Sequence, residues 1–328
     1  MKVLVSGANG LLGSNIVREL LKRGIQARAF VRPNARLLSL KDAEPEYFFG
    51  NITSPGDVSK AAAGCDYIIH TAAITDQTLP CLDDYLKVNV EATQNIIDAG
   101  LSNGIKRLIY ISSTNSIGYG NSEEPGTEET PPMKPYTESY YAISKQRAEQ
   151  KVLDAVNNSG LNALILNPSF MIGPYDSKPS SGRLLLVGYR SKIVFLPAGG
   201  RNFVPVEDVA IAACNALTKG SRGQKYLLVN ANLTYGEFYE LVDEITGYKR
   251  FKIIIPSWLV KVTGLLGSVA SYSGRQVLLN RNNARILTVK NFYSAEKAIK
   301  ELDFPQSDIR TAIAKALDWF KDNNYIRN

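Results

Sequence analysis

Two short constellations in this 328-residue chain bring together residue types able to do chemistry. The first is Tyr141-Ala142-Ile143-Ser144-Lys145. A spacing of four puts the phenol and the ammonium on one face of a helix. At ~5 Å and an effective dielectric of ~20, the lysine charge favours phenolate by ~3 kcal/mol, on the order of two pKa units. A tyrosine so placed works as an acid or base near neutral pH. On its own a Tyr/Lys pair is usually a solvated helix face, so its company decides its meaning. The second constellation is Ser6-Gly7-Ala8-Asn9-Gly10-Leu11-Leu12-Gly13. Three glycines at this spacing, after a strand and opening a helix, suit a dinucleotide pyrophosphate. Gly7 permits the tight turn, Gly10 lets the backbone approach the ligand, and Gly13 lets the helix pack close to the sheet. The helix N-terminus then faces the negative charge.

The surrounding pattern supplies the elements that must position these groups. Apolar runs at 2–6, 27–31, 47–50, 67–71, 107–112 and 162–166 read as strands, and they alternate with helical stretches at 11–23, 82–103 and 139–158. Strands joined by crossover helices predict an α/β fold, a doubly wound parallel sheet of the Rossmann type. After Pro168 the pattern loosens. Residues 173–182 are turn-rich, 205–218 read as a helix, 225–229 as a further strand, and 235–246, 256–271 and 308–322 as helices. The expected division is a dinucleotide-binding core over 1–170, with 203–230 returning to it. A smaller C-terminal substrate lobe is expected from 171–202 and 231–328, with the pocket between the two.

Composition narrows the chemistry. Lys+Arg 38 minus Asp+Glu 31 gives +7, but the basic residues are scattered, so no nucleic-acid partner is expected. Cys65, Cys81 and Cys214 are odd in number and far apart, which argues against a disulfide scaffold and a metal site. A single histidine, His70, argues against histidine-bound zinc and a Ser-His-Asp triad. Lys2 to Val5 run straight into the glycine turn with no leader before them, so a reducing cytoplasm is the expected location. The longest apolar stretch, 253–270, is interrupted by Pro256, Lys261, Gly264 and Gly267, which rejects a membrane-spanning helix. Within it Trp258, Val262, Leu265 and Val269 recur at helical spacing. That stripe is expected to pack on the protein's own core, with no membrane partner.

At these residues the chain resembles the extended short-chain dehydrogenases/reductases, the NAD-dependent epimerase/dehydratase family, and among them the dihydroflavonol-reductase-like and 3β-hydroxysteroid-dehydrogenase-like members. The resemblance also rests on His70-Thr71-Ala72-Ala73, Val88-Asn89-Val90-Glu91-Ala92-Thr93, Ile111-Ser112-Ser113-Thr114 and Asn167-Pro168-Ser169-Phe170-Met171-Ile172-Gly173-Pro174. It implies that Tyr141 donates a proton to a carbonyl oxygen as nicotinamide delivers hydride, while Lys145 holds the nicotinamide ribose and lowers the phenol's pKa. It implies a polarising hydroxyl from Thr114 or Ser113, with Ile117 at the branched-aliphatic position favouring Thr114. Asn89 would order the active site or a water, or serve its helix structurally, and His70 would be a neutral residue beside the cofactor. The implied cofactor contacts are Gly7, Ala8, Asn9, Gly10, Leu11, Leu12, Gly13, Arg32, Asn51, Ile52, Thr71, Ala72, Ala73, Tyr141, Lys145, Pro168 and Ser169. Phe170, Met171, Tyr175 and Arg183 are expected at the substrate. The long helices at 82–103 and 139–158 imply a homodimer.

Three departures shape the reading. Many sugar-nucleotide members carry arginine where this chain has Asn167, and a Tyr-Gly pair where it has Ile117-Gly118-Tyr119-Gly120. Asn51 stands where many members have aspartate. The second predicted strand ends at Arg32, and no acid occurs between Glu19 and Asp42. NAD-selective sites place an acid near here for the ribose hydroxyls, whereas arginine suits a 2′-phosphate. The expectation is therefore NADP(H) before NAD(H), in a carbonyl reductase or the reverse dehydrogenase acting on a small-molecule substrate. The alternatives are a nucleotide-sugar epimerase or dehydratase with tightly bound NAD, and a non-catalytic cofactor-binding protein.

Overall fold

The short β-rich runs and the amphipathic stretches between them fold as alternating strands and helices. The computed structural model describes residues 1–189, 191–272 and 279–326, with the side chains of 269–272 left aside. In chain order come β1 (Lys2–Ser6), α1 (Leu11–Lys22), β2 (Gln26–Val31), β3 (Glu46–Phe49), α2 (Pro55–Ala62), β4 (Tyr67–His70), α3 (Leu82–Tyr85), α4 (Ala92–Ser102), β5 (Arg107–Ile111), α5 (Tyr140–Ser159) and β6 (Ala163–Pro168). Then follow β7 (Phe170–Ile172), α6 (Arg183–Gly188), β8 (Ile193–Pro197), β9 (Gly200–Pro205), α7 (Val206–Asn215), β10 (Lys225–Leu228), β11 (Ala231–Thr234), α8 (Tyr235–Thr246), β12 (Phe251–Ile255), α9 (Ser257–Tyr272), α10 (Arg281–Ile286), β13 (Lys290–Asn291), α11 (Glu296–Leu302) and α12 (Ile309–Asp322).

Seven strands form one sheet in the order β10-β6-β5-β4-β1-β2-β3, every neighbour pairing being parallel. The chain reverses direction across the sheet between β1 and β4, and ligands of such sheets bind at that crevice, outside the carboxyl ends of the strands. Both faces are covered. Val3, Val5, Ile16, Leu20, Val209 and Leu217 belong to one apolar core, and Leu4, Ile68, Ile96, Leu108, Val152 and Ile165 to the other. Strands buried on both sides have no polar face, which is why they read as apolar runs.

A third core holds the smaller lobe together, joining Ile172 and Leu185 to Phe203, Phe238, Ile313 and Phe320. Phe203 and Phe238 stack at 4.3 Å. Its strand β9 pairs with β7, β11 and β13, which fastens the lobe to the end of β6. Within the stretch expected to belong to the lobe, Ala298, Leu302 and Phe304 pack instead into the first core of the large sheet. No helix among the described residues is long and apolar enough to cross a membrane.

Two local outcomes differ from the sequence expectation. The helix expected over 82–103 is interrupted at Leu86–Glu91 by a π-helical segment, a form common at functional sites. The apolar stretch that follows Arg250 is half strand and half helix, β12 then α9. The stripe on α9 faces outward, with Trp258 66% exposed and Val262 and Leu265 also exposed. The helix packs inward through its smallest residues. A Cβ on Gly264 would meet Ala284, and one on Gly267 would meet the Leu279 carbonyl. Val269 lies outside the residues whose side chains are described.

Candidate active site

The glycine turn lies at the crevice. Gly7 has φ +67, and a Cβ there would come within 2.8 Å of Thr71 and Ala72 on the neighbouring strand end. A Cβ on Gly13 would come within 2.3 Å of the Gly7 carbonyl. Gly10 differs, since its Cβ would meet only that carbonyl, at 3.2 Å. Two of the glycines thus serve the protein's own packing, while the third leaves space on the ligand side. Gly10 caps α1 with no side-chain cap and no acid in the first turn. The N–H groups of Leu11, Leu12 and Gly13 have no partner within the helix, and they suit a pyrophosphate.

The loop after β2 folds onto this turn. Asn9 Nδ2 donates to the Arg36 carbonyl at 3.1 Å, and Ser39 Oγ donates to the Asn9 carbonyl at 2.9 Å. Exposed Arg32 therefore has a second exposed guanidine, Arg36, on the same loop. Arg36 escaped the sequence reading, although a second base four residues on was the available signal. At the end of β3, Asn51 has its side-chain oxygen taken by the Thr53 amide and hydroxyl, at 3.0 and 2.9 Å. Only its Nδ2 remains to meet a ligand. The Ile52 carbonyl accepts from Asn95 at 3.2 Å.

Tyr141 is buried in the first turn of α5, which Ser139 caps. The Ser113 hydroxyl faces its phenol. The carbonyl of Thr114, the residue favoured from the sequence, accepts from the Tyr293 hydroxyl at 3.4 Å. Ser113 is the extended residue before a short 3-10 turn over Thr114–Ser116. Burial pushes the Tyr141 phenol above its ordinary value, and the Ser113 hydroxyl opposes this. The expected lowering by lysine does not appear. Lys145 Nζ donates to the Ile111 carbonyl at 2.7 Å and lies 4.6 Å from the Tyr110 ring centre. Burial pushes Lys145 down to about 7, with the Glu149 charge opposing, so the lysine charge is itself weakened.

Glu149 is one more turn along the same face and was missed, although the Tyr141–Lys145 spacing continues to it. It is 2% exposed. Its Oε1 accepts from Ser112 Oγ, Ser116 Oγ and Asn167 Nδ2 at 2.5, 2.5 and 2.7 Å, and its Oε2 accepts from Lys225 Nζ at 2.5 Å. Asn167, where many sugar-nucleotide members carry arginine, thus belongs to the support of the lysine.

Asn89 sits in the π-helical segment with its side chain fully engaged. It donates to Ser144 Oγ at 2.9 Å and to the Ile74 carbonyl at 3.1 Å, and accepts from the Ile74 amide at 2.7 Å. It ties the chain after β4 to the helix turn between Tyr141 and Lys145. Thr93 Oγ1 donates to the Asn89 carbonyl, so it accepts from His70 Nε2, and His70 Nδ1 accepts from Ser6 Oγ at 2.6 Å. Burial, helped by the Lys145 charge, pushes His70 down to about 3, which keeps it neutral. Ser6 also accepts from the Thr71 and Ala72 amides. One polar chain therefore links the glycine turn to the phenol's helix.

The expected substrate residues separate. Phe170 is at the end of the sheet, under the Arg201 guanidinium at 4.0 Å. Pro168 ends β6, and Ser169 donates to Asn202 at 2.5 Å. Met171 packs on the first core. Tyr175 lies under Arg18 at 3.8 Å and against Trp319, so its ring anchors the loop to α1 and α12. Arg183 is exposed at the start of α6. Arg201 is the residue that sequence reasoning missed, since a lone arginine in a strand has no motif. Its charge reaches Tyr235, Tyr136 and Tyr293. Its Nε is buried without a partner, and no carboxylate pairs with it among the described residues. The Tyr293 hydroxyl donates to the Thr114 carbonyl at 3.4 Å, one residue from Ser113. No cluster of three or more metal-ligating side chains occurs among the described residues.

This arrangement has relatives. A "Putative dihydroflavonol 4-reductase" of Synechocystis sp. is 31% identical over 330 residues, covering 98% of this chain and 95% of its own. "Sterol demethylase protein B" of Methylococcus capsulatus is 30% identical, covering 99% of this chain and all of its own. Among solved structures, gox2253 superposes with TM-score 0.85 at 30% identity, covering 99% of each chain. The pattern described for NAD dependent epimerase/dehydratase proteins matches residues 3–231. The chain belongs to this family and is an NAD(P)-dependent oxidoreductase.

Proposed function

We propose that the protein is an NADPH-dependent reductase that interconverts a carbonyl and a secondary alcohol, working as a homodimer. The observation that carries this reading is the buried Tyr141 phenol, facing Ser113 and one helical turn from Lys145, together with the glycine turn that opens α1 at the crevice. A bound nicotinamide dinucleotide supplies the two-electron chemistry that no side chain offers. Ser113 donates towards the carbonyl oxygen, and Tyr141 Oη passes its proton to the same oxygen. Lys145 would hold the nicotinamide ribose hydroxyls, and its charge favours the phenolate left on Tyr141. Arg32 and Arg36 favour the 2′-phosphate of NADPH, because guanidinium forks match phosphate and no acid is there to hold a free ribose hydroxyl.

Arg201 indicates the substrate class. A part-buried guanidinium with a free Nε among tyrosines calls for an anionic or strongly polar group on the substrate. We infer a ketone or secondary alcohol with a carboxylate or comparable group, on a body apolar enough for the aromatic walls of Phe170 and Tyr293. The names of the two relatives, a putative dihydroflavonol 4-reductase and a sterol demethylase protein, agree with an apolar body. A diphosphate would also satisfy Arg201, which keeps the nucleotide-sugar epimerase as the second reading.

The test is NADPH consumption over a panel of ketones presented as free acids and as their esters, alongside UDP- and GDP-sugars. Net oxidation of NADPH, faster with the acids, supports the proposal. Sugar turnover without net cofactor change refutes it. The dimer is expected through the outer faces of the stretches 82–103 and 139–158, where a groove of about 380 Å³ is lined by Leu86, Val90 and Glu91 of the π-helical segment and by Arg147, Gln150, Lys151 and Asp154 of α5. A monomeric mass by light scattering at micromolar concentration counts against it.

A further inference from the structure

The C-terminal lobe carries an apolar surface that its own core does not use. Strands β8 and β12 pair in parallel, with Ile193 opposite Phe251 and Phe195 opposite Ile253. Their inner residues, Val194 and Leu196, belong to the lobe core. A two-faced sheet of this kind ordinarily turns polar residues outward. Here the outward face is Ile193, Phe195, Phe251 and Ile253, with Phe195 65% and Phe251 78% exposed. Only Pro256 separates β12 from α9, whose Trp258, Leu259, Val262, Leu265 and Leu266 are exposed along one side. Soluble surfaces rarely show so many large apolar side chains together unless something covers them.

Basic side chains outnumber acidic ones around this surface, where Asp243 pairs with Arg250 and Lys252. Residues 177–206 and 245–295, which contain β8, β12 and α9, hold 13 lysines and arginines and no aspartate or glutamate. Lys192, Lys249 and Lys261 are exposed and have no carboxylate partner among the described residues. A second copy docking face to face would set like charges against each other. An acidic, apolar surface has neither problem.

We propose that the lobe docks through this face onto an anionic lipid bilayer. The aromatic and aliphatic side chains of β8, β12 and α9 enter the headgroup boundary, and Lys192, Lys249 and Lys261 meet lipid phosphates. The protein lies on the bilayer and does not cross it, as an amphipathic face rimmed by lysines does. This inference stands apart from the reductase reading, since it uses none of the active-site residues.

The experiment is flotation of the full chain with phosphatidylcholine vesicles, with and without phosphatidylglycerol, at low and high salt. Binding is expected to the anionic vesicles, weakened by salt. Each lysine near an anionic surface strengthens binding roughly five-fold, so Lys249→Gln with Lys261→Gln should weaken it ~25-fold. Phe251→Ser with Trp258→Ser should weaken it by ten-fold or more. Both pairs are exposed, and an unchanged melting temperature verifies that the fold survives. Trp258 emission should shift to the blue on binding, and Trp258→Phe should bind but lose the shift. Three outcomes overturn the proposal: no flotation, equal flotation on neutral vesicles, or unchanged flotation of both double variants. A light-scattering mass that halves in Phe251→Ser/Trp258→Ser, with no vesicle binding by the parent, assigns the face to a second copy and also overturns it.

Discussion

Removing the Glu149 charge should move the titration of Lys145 in a direction the structure dictates. Lys145 and Glu149 are four residues apart on one helix face, so their charged ends lie ~6 Å apart. At an effective dielectric of ~20 this attraction is ~3 kcal/mol, on the order of two pH units. The Lys225 ammonium, 2.5 Å from Glu149, offsets part of it and leaves about one unit. Glu149→Gln keeps an oxygen for Ser112, Ser116 and Asn167, which makes it the conservative change. The sign follows from the charge: a lysine is cationic below its pKa, and burial has already brought Lys145 to about 7. Losing Glu149 disfavours the cation further, so the charge disappears earlier as pH rises. The alkaline limb of kcat/KM for the cofactor, which reports the free enzyme, should therefore move down by about one pH unit. Activity below both limbs should be little changed, and activity above them should fall up to ~10-fold. Lys225→Met removes the opposing charge and should move the limb the other way. A uniform loss at every pH, or the same direction of movement in both variants, would show a packing role and refute the electrostatic one.

Other substitutions separate roles that lie close together. Tyr141→Phe should lower turnover roughly 10²–10⁴-fold with cofactor binding retained, read by steady-state kinetics and fluorescence titration. Ser113→Ala should cost roughly 10–100-fold in kcat while Thr114→Ala costs little, and the reverse order would return the catalytic hydroxyl to Thr114. Arg32→Ala and Arg36→Ala should each weaken NADPH by about 10- to 100-fold and leave NADH nearly unchanged, and calorimetry showing equal wild-type affinities would sink the 2′-phosphate assignment. Gly10→Ala should keep the melting temperature but lose cofactor affinity, whereas Gly13→Ala should lose both, because a Cβ on Gly13 would sit 2.3 Å from the Gly7 carbonyl against 3.2 Å for one on Gly10.

What the sequence made legible is what depends on local spacing. The strands of the large sheet are buried on both faces, so each appears as an apolar run bounded by turns, and the seven in the structure are those the pattern predicts to within two residues at either end. The glycine turn and the Tyr141–Lys145 pair are legible because their partners lie within eight residues. What depends on orientation or on distant chain was not. Whether Ser113 or Thr114 supplies the hydroxyl depends on the geometry of a 3-10 turn, which neighbouring residue types leave open. The break at Leu86–Glu91 has no compositional mark, yet it lets Asn89 reach both Ile74 and Ser144. Arg201 acquires meaning only when Tyr136, Tyr235 and Tyr293 converge on it from three remote segments. The α9 stripe was misjudged for a related reason. Periodicity shows that a helix has an apolar side, but which side packs is settled by what approaches it. On α9 the segment around Leu279–Ala284 comes so close that only Gly264 and Gly267 fit beneath it. The large residues are left outside, and a pattern that ordinarily marks a core here marks a surface.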